Sequence, residues 1–139
     1  MGIKVKFAAA TFEKKICIDI RREVFIKEQN IPEELEMDDS RIVAKSYVAL
    51  YKKNYVGTAR YRETESGIKL ERFAVLKQYR NLGVGKALVN CIINSLSSES
   101  KIYLHAQEQV VEFYTKLGFE KIGERFLEAG VPHFKLIRQ

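Results

Sequence analysis

Tryptophan is absent from this sequence, and cysteine, proline and histidine occur only twice each. Cys17 and Cys91 lie far apart, each inside a segment that reads as helix, with no CxxC or Cys/His spacing that could hold zinc. No disulfide framework and no metal site is expected, and both cysteines read as reduced thiols packed against a core. Pro32 and Pro132 are the only prolines, and no repeat, low-complexity tract or Pro/Gly/Ser-rich linker interrupts the chain. One domain spanning residues 1–139 is the natural expectation. Long apolar runs are missing too: the opening MGIKVKFAAATF lacks the stretch of a signal peptide, and Lys6 stands where the myristoylation pattern wants Ser or Thr. The cytoplasm, with no membrane association, is therefore the expected location. Runs of basic residues are also lacking. The formal charge of +6 is dispersed among acidic residues, and Glu33 to Asp39 is strongly acidic. That pattern argues against a nucleic-acid-binding arm, and it suits either plain solubility or an anionic ligand carrying several phosphates.

What is present is enough apolar residue, 46%, for an ordinary core. Ile3 to Phe7 alternates apolar with basic residues as a strand does, and Thr11 follows as a helix N-cap. Phe12, Ile16, Ile20 and Val24 recur every four residues, the spacing of a buried helix stripe, and Pro32 ends that region. Val43 to Tyr51 and Tyr55 to Tyr61 are rich in β-branched and aromatic residues, with Lys52-Lys53-Asn54 as a hairpin turn between them. A second turn at Glu65-Ser66-Gly67 leads into a strand over Ile68 to Val75. The period then changes: Gly85 to Leu96 carries a helical face, Ile102 to Ala106 reads as a strand, and Val110 to Leu117 reads as a helix stopped by Gly118. Phe119 to Leu127 and His133 to Ile137 form a closing hairpin. These elements predict an α+β fold: a mixed, mainly antiparallel sheet with helices on both faces and a central strand-helix-strand unit. Its two strands, Ile68 to Val75 and Ile102 to Ala106, should run parallel through a right-handed crossover.

Between the first of those strands and its helix lies Tyr79-Arg80-Asn81-Leu82-Gly83-Val84-Gly85-Lys86. Amides at a helix start have no intrahelical partner and form a candidate anion site. Gly83 and Gly85 would let the backbone approach a phosphate without an intervening Cβ, and Arg80 and Lys86 would add charge-assisted hydrogen bonds. A Walker A loop is excluded, because Arg80 stands where its first glycine belongs and Ala87 where its Ser or Thr belongs. A dinucleotide fingerprint is excluded because Gly83-Val84-Gly85 runs into Lys86-Ala87-Leu88. A tight turn that simply holds two glycines remains the structural alternative.

The stretch from Phe73 onward resembles the GCN5-related N-acetyltransferase (GNAT) superfamily. Its signature, Arg or Gln, two residues, Gly, one residue, Gly or Ala, is matched by Arg80-Asn81-Leu82-Gly83-Val84-Gly85. A second landmark is matched by Phe113-Tyr114-Thr115-Lys116-Leu117-Gly118-Phe119. The N-terminal half, with Arg22 to Gln29 followed by Ile31-Pro32-Glu33-Glu34, resembles the branch of small bacterial proteins typified by ElaA and YjcF, as do Leu104-His105-Ala106-Gln107 and Val131-Pro132-His133. The resemblance covers nearly the whole chain.

It implies an enzyme that transfers an acetyl group from acetyl-CoA to a primary amine of a small molecule by direct attack, without a metal or a covalent enzyme intermediate. The pantetheine arm would run along the backbone of Phe73, Ala74 and Val75. The pyrophosphate would rest on Asn81, Leu82, Gly83, Val84, Gly85 and Lys86 with Arg80 beside it, and Gln109 would fall near a residue that contacts pantetheine. Tyr114 would be the general acid for the departing thiolate, with a packed interface tyrosine as the plainer reading. The base would be His105, whose side-chain type titrates near neutrality and which otherwise reads as a buried histidine capping a polar network, or Glu71, which otherwise reads as an exposed strand carboxylate. His133 and Glu28 would shape the acceptor pocket. The rival of another class is a catalytically silent acyl-CoA-binding or sensor module of the same fold. The amine's identity and the oligomeric state, a homodimer included, stay open, because fold does not select among acceptors.

Overall fold

The computed structural model describes residues 2–37 and 42–138. Asp38 and Asp39 of the acidic stretch lie outside the described residues. The chain forms two compact units, Met1–Arg62 with Arg72–Ser97, and Glu63–Glu71 with Ser98–Gln139. Seven strands, β1 (Ile3–Phe7), β2 (Lys45–Tyr51), β3 (Asn54–Thr64), β4 (Gly67–Val75), β5 (Ile102–Gln107), β6 (Phe119–Glu128) and β7 (Val131–Arg138), follow the order β1-β2-β3-β4-β5-β7-β6 in one mixed sheet.

The first unit contains β1 (Ile3–Phe7), α1 (Thr11–Arg21), α2 (Glu33–Glu36), β2 (Lys45–Tyr51), nearly all of β3 (Asn54–Thr64), the second half of β4 (Gly67–Val75) and α3 (Val84–Asn94). β1, β2 and β3 pair antiparallel in sequence order. Lys52 and Lys53, at φ 49° and 73°, make a two-residue turn of the type that matches strand twist, so Asn54 belongs to β3 and not to the turn. Helices cover both faces of this part of the sheet. Tyr47 and Val48 are consecutive and point to opposite sides. The Tyr47 hydroxyl lies 2.8 Å from Ser95 Oγ at the end of α3, whereas Val48 packs with Ala8 and with Cys17 of α1.

α1 departs from expectation in two ways. Its N-cap is Ala10, not Thr11, and the Glu13 carboxylate accepts the Ala10 N–H at 3.1 Å. Its buried face is Glu13, Cys17, Ile20 and Arg21, continued by Val24 just beyond its end, while Phe12 is 58% exposed. A strict four-residue repeat advances about 40° per step around a 3.6-residue helix, so a stripe through Ile20 and Val24 has turned away by Phe12. Beyond Arg21 the coil widens to i→i−5 bonding over Arg22–Glu28. Pro32 then opens α2 as its N-cap and does not simply end a helix.

One glycine sets how near α3 approaches the sheet. A Cβ on Gly57 would come within 2.9 Å of Val84 Cγ1 and 3.4 Å of Leu88 Cδ1, so the first turns of α3 rest on a position with no side chain.

The second unit contains the first half of β4, β5 (Ile102–Gln107), α4 (Val111–Thr115), β6 (Phe119–Glu128) and β7 (Val131–Arg138). β4 and β5 run parallel, Ile68 to Leu70 against Ile102 to Leu104, as the strand-helix-strand reading requires. β7 pairs antiparallel with β5 and with β6, and Ala129 and Gly130, both left-handed, close the hairpin. Leu104 faces Leu136 and Ala106 faces Phe134 on one side of these strands. Phe119, in register with Arg138, shares that side and meets the ring of Tyr114 on α4, so this is the apolar face. Tyr103, His105 and Gln107, opposite Ile137, Lys135 and His133, occupy the other.

Candidate active site

The first unit presents the glycine turn. β4 ends at Val75, a single 3-10 turn spans Lys77–Tyr79, and the chain turns at Asn81 (φ 66°) and Gly83 (φ 94°) into α3. Gly83 is the helix N-cap in the left-handed region, which glycine enters without steric cost. Ala87 is the first α3 residue to close a helical bond, donating to Gly83 O at 3.0 Å. The amides of Val84, Gly85 and Lys86 therefore precede the ladder, the arrangement that suits a phosphate. Asn81, Leu82, Gly83 and Lys86 are exposed, and a Cβ on Gly83 would meet only Ile3 Cδ1, at 3.8 Å. The residues present thus fit an anionic group.

Arg80, the first residue of the motif, is engaged within the chain. Its Nη1 and Nη2 donate to the two carboxylate oxygens of Glu28 at 2.6 and 2.7 Å, and its Nε donates to Val75 O at 2.8 Å. This fork ties the end of the widened helix to the end of β4. Each partner holds the other charged: Arg80 keeps the Glu28 carboxyl below its usual range, and Glu28 raises the guanidinium. Arg80 and Glu28 together thus brace the turn. Val75 O, on the backbone expected to serve pantetheine, already accepts one hydrogen bond. Phe73 and Val75 are partly buried, and Ala74 is buried against Ile20 and Val24.

Just before this backbone, Arg72 sits at φ 59° within β4, a left-handed conformation that costs a non-glycine residue about 1–3 kcal/mol. Its Nε lies 3.1 Å from Glu36 Oε1. Arg21 donates through Nε and Nη2 to Glu36 Oε2 at 3.3 and 3.2 Å and through Nη2 to Glu36 O at 2.8 Å. Arg21 and Glu36 are both buried and Arg72 is partly exposed, so α1, α2 and β4 meet at an ion triad whose carboxylate is out of water.

The second unit brings His105 and His133 together around a residue that motif reading missed, Glu128. His105 Nδ1 lies 3.0 Å from Glu128 Oε1, and His133 Nε2 lies 3.7 Å from Glu128 Oε2. His133 is 8% exposed, and its Nδ1 donates to Val131 O at 2.8 Å. Phe126 and His105 meet edge to face, with ring centroids 5.0 Å apart, and Phe126 stacks on His133. Glu128 is held below the usual carboxylate range, chiefly by the hydrogen bond with His105. The signal for Glu128 was in the sequence: a two-residue turn at Ala129-Gly130 pairs residue 128 with 131 and 126 with 133.

Glu71 is buried rather than exposed, with Lys69 Nζ 3.7 Å from its Oε1. Tyr114 is buried between the rings of Phe113 and Phe119, and burial pushes its hydroxyl well above the ordinary tyrosine value. Gln109 is exposed and donates through Nε2 to Gln107 Oε1 at 2.8 Å. Cys17 and Cys91 are free thiols, both raised by burial. Among the described residues no group of three or more acidic, histidine or cysteine side chains could hold a metal, and no helix is long and apolar enough to cross a membrane.

Comparison with known proteins bears on these features. The model of the acetyltransferase (GNAT) domain matches residues 8–138. The uncharacterized N-acetyltransferase YjcF of Bacillus subtilis is 37% identical over 122 residues, covering 86% of this chain and 87% of that protein. The crystal structure of Escherichia coli ElaA superposes with a TM-score of 0.86 at 21% identity, over 99% of each chain. A Bacillus anthracis acetyltransferase solved in complex with acetyl coenzyme A superposes with a TM-score of 0.61 at 22% identity, over 77% of this chain and 72% of that one. The two structural likenesses speak to fold alone. The family match takes in the left-handed glycine turn, the parallel strand pair and the closing hairpin together, and it follows that the chain belongs to the GNAT acetyltransferases.

Proposed function

We propose that this protein transfers an acetyl group from acetyl-CoA to a primary amine of a small molecule by direct attack of the amine on the thioester. The observation that carries the reading is the start of α3, where Gly83 in the left-handed region leaves the amides of Val84, Gly85 and Lys86 ahead of the helical ladder. These amides suit the pyrophosphate, with exposed Lys86 adding a positive charge beside them. Asn81 and Leu82 line the same turn, and Arg80, bound to Glu28 and Val75 O, holds it in shape. The backbone of Phe73, Ala74 and Val75 is assigned to the pantetheine arm and Gln109 to a peripheral contact with it. That a Bacillus anthracis structure of the same fold holds acetyl coenzyme A supports the choice of donor.

An amine must lose a proton as it attacks, and His105 is assigned as the acceptor of that proton. Glu71 is the weaker candidate because the Lys69 ammonium competes for its carboxylate. Tyr114 is assigned to the departing sulfur. A thiol titrates near 8.5, well below a buried tyrosine, so Tyr114 serves the thiolate as a hydrogen-bond donor and not by giving up its proton outright.

The test has two arms. Acetyl-CoA should raise the thermal midpoint, by the equivalent of about 2.7 kcal/mol at a concentration 100 times its dissociation constant. An amine library with acetyl-CoA should then release free thiol with at least one acceptor. Binding without turnover across the library would favour a silent acyl-CoA sensor, and absence of binding by calorimetry would remove the reading altogether.

A further inference from the structure

The carboxylate of Glu128 settles which nitrogen of His105 carries hydrogen. A carboxylate held ionised can only accept, so the 3.0 Å contact makes His105 Nδ1 the donor. In the neutral ring the lone pair is then on Nε2. The neighbour is fixed by the same logic: Val131 O accepts from His133 Nδ1 at 2.8 Å, so His133 Nε2, 3.7 Å from the second oxygen of Glu128, pairs with it as an ion only when that ring is doubly protonated. Phe126 meets His105 edge to face and stacks on His133, so it packs against both rings. Other groups share this face. Lys69 acts on Glu128 from β4, with Glu71 two residues further along the same side of that strand. Tyr103 lies 5.8 Å from His105 between ring centroids, and Lys135 of β7, the cross-strand partner of His105, sits over the Tyr103 ring.

We propose that Glu128 is the positioning residue of the proton acceptor: it holds His105 as the Nδ1–H tautomer, so that Nε2 takes the proton of the attacking amine while the carboxylate steadies the imidazolium that forms. The inference rests on the reading of His105 as base, and it adds a residue from the closing hairpin to the site. The step balances with the thioester included. The amine nitrogen bonds to the acetyl carbon and its proton moves to Nε2; the carbon–sulfur bond breaks, its electron pair leaves on sulfur as the coenzyme A thiolate, and the Nε2 proton then passes to that thiolate or to solvent, while Nδ1–H stays hydrogen-bonded to Glu128.

Nitrogen NMR of the full chain with labelled histidine tests this without turnover. The wild-type ring of His105 should be Nδ1–H when neutral, and Glu128→Ala should release it to a mixture of tautomers. A wild-type Nε2–H ring, or a tautomer unmoved in Glu128→Ala, overturns the proposal. Kinetics with an acceptor from the library add a second readout. Glu128→Gln keeps an acceptor oxygen and loses the charge, so turnover should fall about 10-fold and the acid limb of its pH profile should move to lower pH, because the imidazolium loses its counter-ion. Glu128→Ala should lose about 100-fold in turnover with KM for acetyl-CoA unchanged. If His105→Ala keeps wild-type turnover, the base assignment itself is wrong. If His105→Ala is inactive while Glu128→Gln leaves the pH profile in place, only the role of Glu128 falls.

Discussion

The glycine turn of the first unit and the histidine face of the second are built from different materials. At the turn, the groups that suit a ligand are main-chain amides, aimed by φ angles at Asn81 and Gly83, and side chains such as Arg80 and Glu28 work behind them as braces. On the histidine face the backbone is paired in strands, with one irregularity between Ile122 and Phe126 of β6, and the chemistry is in side chains gathered from β4, β5, β6 and β7. A site of main-chain donors is shaped by conformational constraint and by whatever holds the backbone in place. A site of titratable side chains is shaped by hydrogen-bond partners and charge. The two should therefore fail under different substitutions.

The largest effect should come from Glu36, which braces the backbone on the first side of that comparison. Glu36→Ala leaves Arg21 buried without its carboxylate and removes the anion beside Arg72, and breaking a buried pair costs about 3–5 kcal/mol. Urea unfolding should register that loss. Acetyl-CoA affinity should weaken with it, because Arg72 at φ 59° directly precedes the strand assigned to pantetheine. A loss below about 1 kcal/mol would put the triad with ordinary surface pairs and leave the backbone held by other means.

Gly83→Val comes next. The new Cβ has room, with Ile3 Cδ1 at 3.8 Å, so the cost is conformational: about 1–3 kcal/mol for a left-handed residue, more so when β-branched. The protein should stay folded by circular dichroism and lose affinity for acetyl-CoA in calorimetry, with tautomer and proton-transfer behaviour on the histidine face unchanged. Wild-type affinity in a folded Gly83→Val protein would show that the turn is not the phosphate site.

The same contrast decides what could be read in the sequence. A backbone site announces itself locally, because left-handed residues and open amides call for glycines at fixed spacing, and Gly83 and Gly85 stand in one short segment between strand and helix. The strands were legible for a related reason: alternation and turn residues are local, and the parallel pair followed from the change of period. What escaped was non-local. Glu128 matters through its partners on other strands, Glu36 through Arg21 and Arg72, and Gly57 through Val84 and Leu88. Arg80 was visible, but its commitment to Glu28, 52 positions away, was not. Phe12 was misplaced because a four-residue repeat drifts around a helix that turns every 3.6.

The smallest effect, and the one that sharpens the comparison most, is the pH dependence of two carboxylates. Glu28 and Glu128 both have their folded pKa depressed, Glu28 chiefly by the hydrogen bond with Arg80 and Glu128 chiefly by the hydrogen bond with His105. For a depressed carboxylate the stabilising contribution is present above the unfolded value, about 4.3, and is lost as pH falls through the folded one. The partners differ. Arg80 stays charged at every accessible pH, whereas a histidine gains its charge only as pH falls through neutrality. Glu28→Gln should therefore carry a stability deficit that is level from about pH 9 to pH 5 and disappears in acid. Glu128→Gln removes a carboxylate whose hydrogen-bonded partner is an imidazole and not a permanent cation, so its deficit should not be level over that range, and it too disappears in acid as the wild-type carboxyl is protonated. Urea midpoints of wild type and both variants across that range would trace the two shapes. Both pairs are partly exposed, so added salt should shrink both deficits. Two level profiles would mean that the histidines do not act on Glu128 as cations, and its depressed carboxyl would then rest on Lys69 and on neutral hydrogen bonds.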